Sequence, residues 1–585
     1  MISTSPTQWL SRPIPPLFII LLALAVHGPL LMMQLPANSY DTNFHIFFSA
    51  HYAEHWFNPW NEKWFAGFSQ TTYPPLEHQW IALLSHVLGL NMGYMVVQLI
   101  AVLLLAVGVY RFARLWVDKR AASYAALGSI FVGTLVFLVY YSGQLSTTLS
   151  APLLVNALPY FYDWVGAGKP RALLKGLFLT FSAGAVHHVT IIFGSFLCFL
   201  PVLWLAWLDR KREDPDASSV PPLSRAIVFA ALAAVGLGVI LLPYWMAIIQ
   251  HPIKQIPIPH ASRSNYLLNS LAVMNYLVVP YGALLIALPF ILLRGSANPR
   301  LRPLLFGFWL TFLIGLGGTT PLPRWLLGRA FDILTFERFT LLAAIMALPF
   351  IGLFAVHLID RYHHRAVVGL SLATIASFSL AMFWLRHTPQ NPGGYLDVDQ
   401  VVAFLNRDGH DNFRYITLGF GNAFSKISTY ANASSVDGEY NSARLLSELT
   451  GYGSAQLTNS KYYGSEGLGA LSAVLRHANQ YGLKYIFVHD PYYEPLLAFA
   501  GWRKFDTWDR GRITAWSKES VPPARKIDSD AVPQRWAGIL WGTLPFGSSI
   551  VAIALVLLLP DRKRLRESLE FPAVAAQANY AREAK

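Results

Sequence analysis

Asn38-Ser-Tyr-Asp-Thr-Asn-Phe-His45, followed by residues 46–57 and later by Thr72-Tyr-Pro-Pro-Leu76, is the stretch on which the reading of this chain turns. It follows the first long apolar run and holds the densest polar and aromatic chemistry near any expected membrane surface. The spacing predicts a helix over about 40–57 with two unlike faces. Asp41, His45, Ser49, Tyr52 and His55 share one side; Ile46, Ala50, Ala53 and Phe57 share the other. Such a helix is expected on a membrane surface, apolar face down, with its Asp/His row offered to whatever lies above.

The rest of the chain supplies the membrane. Of 585 residues, 54% are hydrophobic and 13% charged, and the mean hydropathy is +0.39. A soluble chain carries about a quarter charged residues. Apolar runs near the length of a bilayer crossing recur along the sequence, so the expected fold class is mostly α. It is a polytopic transmembrane helical bundle of about 12 spans, with a small external α/β domain before the last span. The net charge of +13 does not point to nucleic acid. Lys and Arg sit in short loops between apolar runs (Arg111–Arg120, Lys169–Lys175, Arg294–Arg302), which is the positive-inside pattern. Cys198 stands alone, so no intrachain disulfide or cysteine metal cluster is available.

Spans are expected at 16–35, 93–112, 121–141, 149–165, 172–188, 189–208, 226–249, 271–293, 303–318, 341–358, 366–385 and 536–560. The first reads as a retained signal anchor with Arg12 inside. Residues 75–90 read as a second surface helix, because a spanning helix there would put Arg111–Arg120 outside. Residues 1–385 then form the transmembrane domain, with a long first external loop at 36–92. Residues 386–530 form the external domain, and 531–585 the last span and a basic cytoplasmic tail. Within the external domain, 397–406 and 468–481 look helical, 413–418 and 484–489 look like strands, and 502–516 reads as a hairpin. Tyr430–Gly464 reads as a long loop rich in Asn, Ser, Gly and Tyr, either disordered or functional. Both termini are expected in the cytoplasm. No Walker loop, dinucleotide fingerprint or HExxH is present.

Three polar groups fall on the expected external face. Asp41 has a structural role open to it, as the acid at the third position of a helix capped by Asn38. Its chemical alternative is a general base, or a metal ligand, made more basic by an apolar boundary. Asp41 and His45, one turn apart, are only two ligands; His51 and His55 repeat the spacing, but the four do not share one tight face. No metal or other cofactor is expected. His187 and His188 end a span and are expected to face a cavity or to snorkel at the interface. Arg324, Glu337 and Arg338, with Lys254 and Arg263, put positive charge where positive-inside logic leaves little. A lipid phosphate would account for it, although Glu337 and Arg338 can also form a local ion pair.

The order Asp-Thr-x-x-x-His after the first span, then Gly67, then Tyr73-Pro-Pro-Leu76 leading a surface helix, resembles the GT-C membrane glycosyltransferases. More narrowly, the layout is similar to the bacterial 6-pyruvoyl-tetrahydropterin-synthase-related multispanning membrane proteins. The resemblance implies a first-loop acid that acts in catalysis, here Asp41, and a polyprenyl-phosphate sugar donor. His45 would assist Asp41, while Tyr73, His187, His188, Arg263, Arg324, Glu337 and Arg338 would bind substrate. Metal-dependent members carry acids in the second external loop. Here that loop has Gln144 and no carboxylate, and the Trp-Trp-Asp signature of oligosaccharyltransferases is absent. The implied function is transfer of a sugar to a glycan, lipid or protein acceptor on the periplasmic face of a bacterial inner membrane. A non-catalytic lipid or glycan binder of the same fold, and less strongly a transporter, stay open at this point.

Overall fold

The computed structural model describes residues 8–213, 220–253, 256–257, 259–388, 395–451 and 456–559. Lys254 and the basic tail expected beyond 560 lie outside them. Each expected span is occupied by a helix: α1 (Pro16–Met32), α4 (Leu90–Trp116), α5 (Lys119–Ser142), α6 (Leu145–Ala167), α7 (Pro170–Val186), α8 (His188–Glu213), α9 (Val220–Ile240), α10 (Ser270–Ala297), α11 (Arg302–Gly315), α12 (Glu337–Tyr362), α13 (His364–His387) and α14 (Arg535–Leu558). Eight of the described helices are long and apolar enough to cross a membrane. Two further helices, α2 (Thr42–Glu54) and α3 (Leu76–Leu88), lie in the first loop. At 13 residues each, they reach about 20 Å, short of a bilayer's hydrocarbon core.

Close crossings hold the bundle together. α6 packs against both α4 and α7, and α12 packs against both α5 and α11. At the α5–α12 crossing, a side chain on Gly352 would lie 2.0 Å from the Ala121 carbonyl. Only a residue without a side chain lets the backbones approach this closely. At the bundle end carrying the 117–118 and 298–302 turns, Arg300 grips both oxygens of Asp209 at 2.8 and 3.0 Å. Nη1 donates to the Trp116 carbonyl, and Nη2, shared with Asp209, also donates to the Leu115 carbonyl at the end of α4. The first loop, Gly143 and the start of α12 gather at the opposite end.

Over that end sits a four-stranded sheet in the order β3-β4-β6-β5, made of Arg414–Leu418, Leu483–Val488, Ile513–Ser517 and Arg503–Trp508 respectively. β3 and β4 are parallel and the other pairs antiparallel. A parallel pair requires a long crossover, and residues 419–482 supply it. The first loop contributes a two-residue ladder of β1 (Trp60–Asn61) with β2 (Phe68–Ser69).

The first loop is enclosed between two layers rather than lying, as expected, with its Asp/His row open. Phe47, Phe48, Trp64, Phe65 and Phe68 share one buried core with Tyr415, Ile416, Leu418, Phe424 and Phe487 of the sheet unit. Phe47 stacks on Trp64 with ring centres 3.8 Å apart. On the other side, Ile46 and Tyr52 join the core of the helical bundle. α2 is therefore clamped between two layers. The expected division into a polar and an apolar face does not hold: Tyr52 of the expected polar row and Ile46 of the expected apolar face both enter the bundle core, while the aromatic residues between them meet the sheet unit.

Residues 430–464 are ordered wherever they are described. Residues 434–437 run between the first loop and β3. The Ser435 amide donates to the Lys63 carbonyl at 2.7 Å, and the Ala66 amide donates to the Ser435 carbonyl at 3.0 Å. On the other edge, the Tyr415 amide donates to the Ser434 carbonyl at 3.1 Å. The Tyr440 hydroxyl donates to the Thr72 carbonyl at 2.7 Å. Polar composition suggested a free loop because its bonds to the first loop come from residues about 370 positions away, where no local pattern can announce them.

Candidate functional site

Asp41 is the residue from which α2 starts, not its third residue. Asn38 ends a short 3-10 turn, and Asp41 occupies the cap position without a side-chain capping bond. Its amide donates to the Ser142 carbonyl at 2.8 Å and its carbonyl accepts from the His45 amide at 3.1 Å. The backbone is thus pinned while the carboxylate is left for other work. Gly143 makes the fit between α5 and α2. It has φ +66°, and a Cβ there would stand 2.2 Å from Ser39 Oγ and 2.7 Å from Thr42 Oγ1.

Asp41 keeps part of its surface open but lies deep between the helical layer and the sheet unit. Burial, reinforced by the charge of Glu337 and opposed by Arg338, pushes its carboxyl up to about 7. Two acids of the crossover segment share this environment. Glu439, whose carboxylate accepts from the Ser425 hydroxyl, is pushed up to about 8 by burial and partly by Asp41. Asp437 is raised to about 6 by burial, against three backbone donors. Neither acid figured in the sequence reading. Their only signal was two acids within a segment otherwise short of charge.

Glu337 and Arg338 open α12. They do not face each other as a simple ion pair. The Thr335 hydroxyl donates to the Glu337 carboxylate and accepts from Arg338 at 3.0 Å. Gln144 Nε2 donates to the same Glu337 oxygen. The second loop, which lacks an acid of its own, thereby holds an acid brought from α12. Buried Arg338 Nε and Arg263 Nη2 have no hydrogen-bond partner among the described residues, nor does Glu337 Oε2. Arg263 is anchored through Nη1 to the Leu334 carbonyl at 2.8 Å. The charges of Glu337, Arg263 and Arg338 all act on His260, which burial holds neutral below its ordinary range.

The structure gathers most of the expected residues and disperses one. His187 bonds Thr190 at 2.8 Å, and His188 faces the Tyr244 hydroxyl at 3.3 Å. His188 and Tyr244 line a cavity of about 470 Å³ together with Thr72 and Tyr440. A second cavity, about 850 Å³, opens beside Asn38 and Asn43, with Arg386 and Lys426 on its wall. Arg324 is not part of this group. It is exposed and paired with Asp332 at 3.1 Å.

His45 also turns away from Asp41's carboxylate. It is 2% exposed, and its Nδ1 lies 3.0 Å from Nε2 of His78 on α3. Glu77 stands next to His78, with 3.9 Å between Glu77 Oε1 and His78 Nε2. The Ser146 hydroxyl donates to Glu77 Oε1 at 2.6 Å and contacts the Tyr73 hydroxyl at 2.8 Å. Burial drives His45 down to about 3, His78 well below its ordinary range, and Glu77 well above its own. These facts correct the expectation that no metal-ligating set exists. One ligand atom each from His45, Glu77 and His78 lies within 4.8 Å of the others. Counting ligands along α2 alone missed it, because two of the three come from α3.

No family model matches the chain, and no curated protein matches it. Solved structures do, and they carry the GT-C glycosyltransferase fold. The chain is similar to ArnT from Cupriavidus metallidurans bound to undecaprenyl phosphate, at 10% identity and a TM-score of 0.52. That match covers 89% of this chain and 100% of the other. It is similar to the Archaeoglobus fulgidus oligosaccharyltransferase in its apo form, at 14% identity and a TM-score of 0.51, covering 88% and 76%. The arabinofuranosyltransferase AftD from Mycobacteria matches at 16% identity and 0.53, covering 88% of this chain and 40% of that one. The archaeal enzyme has also been solved with zinc and sulfate.

Proposed function

We propose that this protein is a membrane glycosyltransferase that moves a sugar from a polyprenyl-phosphate donor to an acceptor hydroxyl, with Asp41 as the base. The observation that carries this reading is the uncapped Asp41 carboxylate, poised near neutrality in the field of Arg338. A base of that strength takes a hydroxyl proton as the hydroxyl attacks the anomeric carbon. The sugar–phosphate bond breaks, and the leaving phosphate gains negative charge. Arg338 and Arg263 each keep an unused buried nitrogen suited to it. His188 and Tyr244 would line the approach for the sugar or acceptor.

The bound undecaprenyl phosphate in ArnT supports a lipid phosphate as the donor's anchor. The narrower kinship with the bacterial pterin-synthase-related membrane proteins belongs to this proposal, on the order of Asp41, Gly67 and Tyr73–Leu76. So do the bacterial inner membrane, catalysis on its external face and cytoplasmic termini. In this reading residues 395–530 roof the site and select the acceptor.

The test is turnover of a radiolabelled polyprenyl-phosphate sugar by purified protein. Asp41→Asn is expected to lose about 100- to 10,000-fold in turnover with donor binding largely kept. Near-normal turnover in a folded Asp41→Asn protein would sink this mechanism and favour a binding protein of the same fold.

A further inference from the structure

Beneath Asp41 lies a second polar centre that the proposed sugar transfer does not use. His45, Glu77 and His78 are 2%, 0% and 0% exposed, in the seam between α2 and α3. Glu77 Oε1 is held by Ser146, but Glu77 Oε2 has no hydrogen-bond partner among the described residues. A buried carboxylate with an orphaned oxygen beside two buried imidazoles is costly as it stands. A cation between them removes that cost.

We propose that His45 Nδ1, His78 Nε2 and the Glu77 carboxylate bind a zinc-class divalent metal that clasps the Asp41 helix to the helix beginning at Tyr73-Pro-Pro. Tetrahedral zinc, with bonds of about 2.0–2.2 Å, holds its ligand atoms about 3.3 Å apart. The His45–His78 separation of 3.0 Å and the His78–Glu77 separation of 3.9 Å bracket that edge. Two imidazoles and one carboxylate favour zinc over magnesium or calcium, which take oxygen ligands. On binding, the hydrogen between the two rings moves to the far nitrogen of the ring that holds it. Each histidine then ligates as a neutral tautomer, and Glu77 as a carboxylate, releasing its proton where it holds one. The Ser146 hydroxyl, at the start of α6, orients the carboxylate and ties the centre to that helix, and it also contacts the Tyr73 hydroxyl ahead of α3. Burial closes the centre to bulk water, so its role is to set the position of α2, and hence of Asp41.

Elemental analysis of the purified full chain tests this directly. Protein prepared with zinc should retain near-stoichiometric zinc, and cobalt exchanged into it should give the visible absorption of a tetrahedral centre. Glu77→Gln and His78→Gln should lose the metal. Ser146→Ala, which leaves all three ligands in place, should weaken metal affinity by about 10- to 100-fold. Asp41→Asn should keep it. Folded wild-type protein that takes up neither zinc nor cobalt would overturn the proposal. Metal lost from Asp41→Asn but kept by Glu77→Gln would overturn it too, by moving the ion to the Asp41 cleft. Metal content is read without turnover, so a metal-replete but inactive protein would count against sugar transfer and leave this centre standing.

Discussion

At the scale of single residues, the proposed chemistry divides between Asp41 and Arg338. With its carboxyl near 7, Asp41 is mostly protonated at pH 6 and mostly ionised at pH 8. Turnover that depends on Asp41 as a base should therefore rise about tenfold per pH unit below 7 and level off above it. A rate flat from pH 5 to 8 would exclude Asp41 as the base. If Arg338 binds the donor phosphate as proposed, Arg338→Ala should instead raise KM for the lipid donor more than it lowers kcat. Glu439 carries a separate prediction about stability. Its folded pKa of about 8 is raised from the ordinary 4.5, so the folded state holds the proton more tightly. That contribution is complete below about pH 4.5 and is lost as pH rises through 8. Glu439→Gln removes the loss. The variant should match the wild type in thermal unfolding at pH 4 and exceed it at pH 9, by on the order of 2 kcal/mol after allowing for partial exposure.

At the scale of elements, the site depends on how α5 meets α2. The last turns of α5 widen into a π-helix over Phe137–Ser142 and end on Gly143 in the left-handed region. This delivers the Ser142 carbonyl to the Asp41 amide and clears space for Ser39 and Thr42. Gly143→Ala should push the start of α2 outward. A shift of about 1 Å at a reacting group can cost about 100-fold in rate. Such a loss in kcat, with expression and melting temperature only modestly lowered, is the expected result; full activity would show that Asp41 is positioned some other way. The elements themselves were legible in the sequence. Apolar runs of span length gave eleven of the twelve expected helices to within about five residues, and the strand signals gave all four sheet strands. The run expected at 226–249 instead breaks at Leu241, between Val220–Ile240 and a separate helix Leu242–Gln250. What escaped were relations across long separations. Glu77 and His78 read as unremarkable positions on a surface helix until α3 brought them to His45. Gln144 read as a missing acid until α12 supplied Glu337. Asp437 and Glu439 lay in a stretch with no periodicity to place them.

At the scale of the molecule, two layers meet on a polar seam. A helical bundle lies below, a mixed sheet lies above, and the first loop is buried in the cores of both. Loop and roof therefore cannot move independently without exposing Phe47, Trp64 and Phe65, so the seam should behave as one rigid body during turnover. The proposed side of the membrane for this seam rests on charge. Arg120, Arg300 and Arg302 lie at the bundle end away from the sheet, beside the turns that close α4–α5 and α10–α11. The positive-inside rule predicts that end in the cytoplasm and the sheet unit outside. Phe499 offers a clean probe. It is 92% exposed on the sheet unit, and the chain's one native thiol, Cys198, is buried. A Phe499→Cys protein should react with a membrane-impermeant maleimide in intact cells, provided the reagent reaches the outer face of the inner membrane. Wild type, with Cys198 sealed in the bundle, should give no background. Labelling of Phe499→Cys only after the inner membrane is broken would place the seam in the cytoplasm. Asp41 would then face soluble acceptors and a donor flipped the other way, and the proposed transfer on the external face would be wrong even if the chemistry at Asp41 were right.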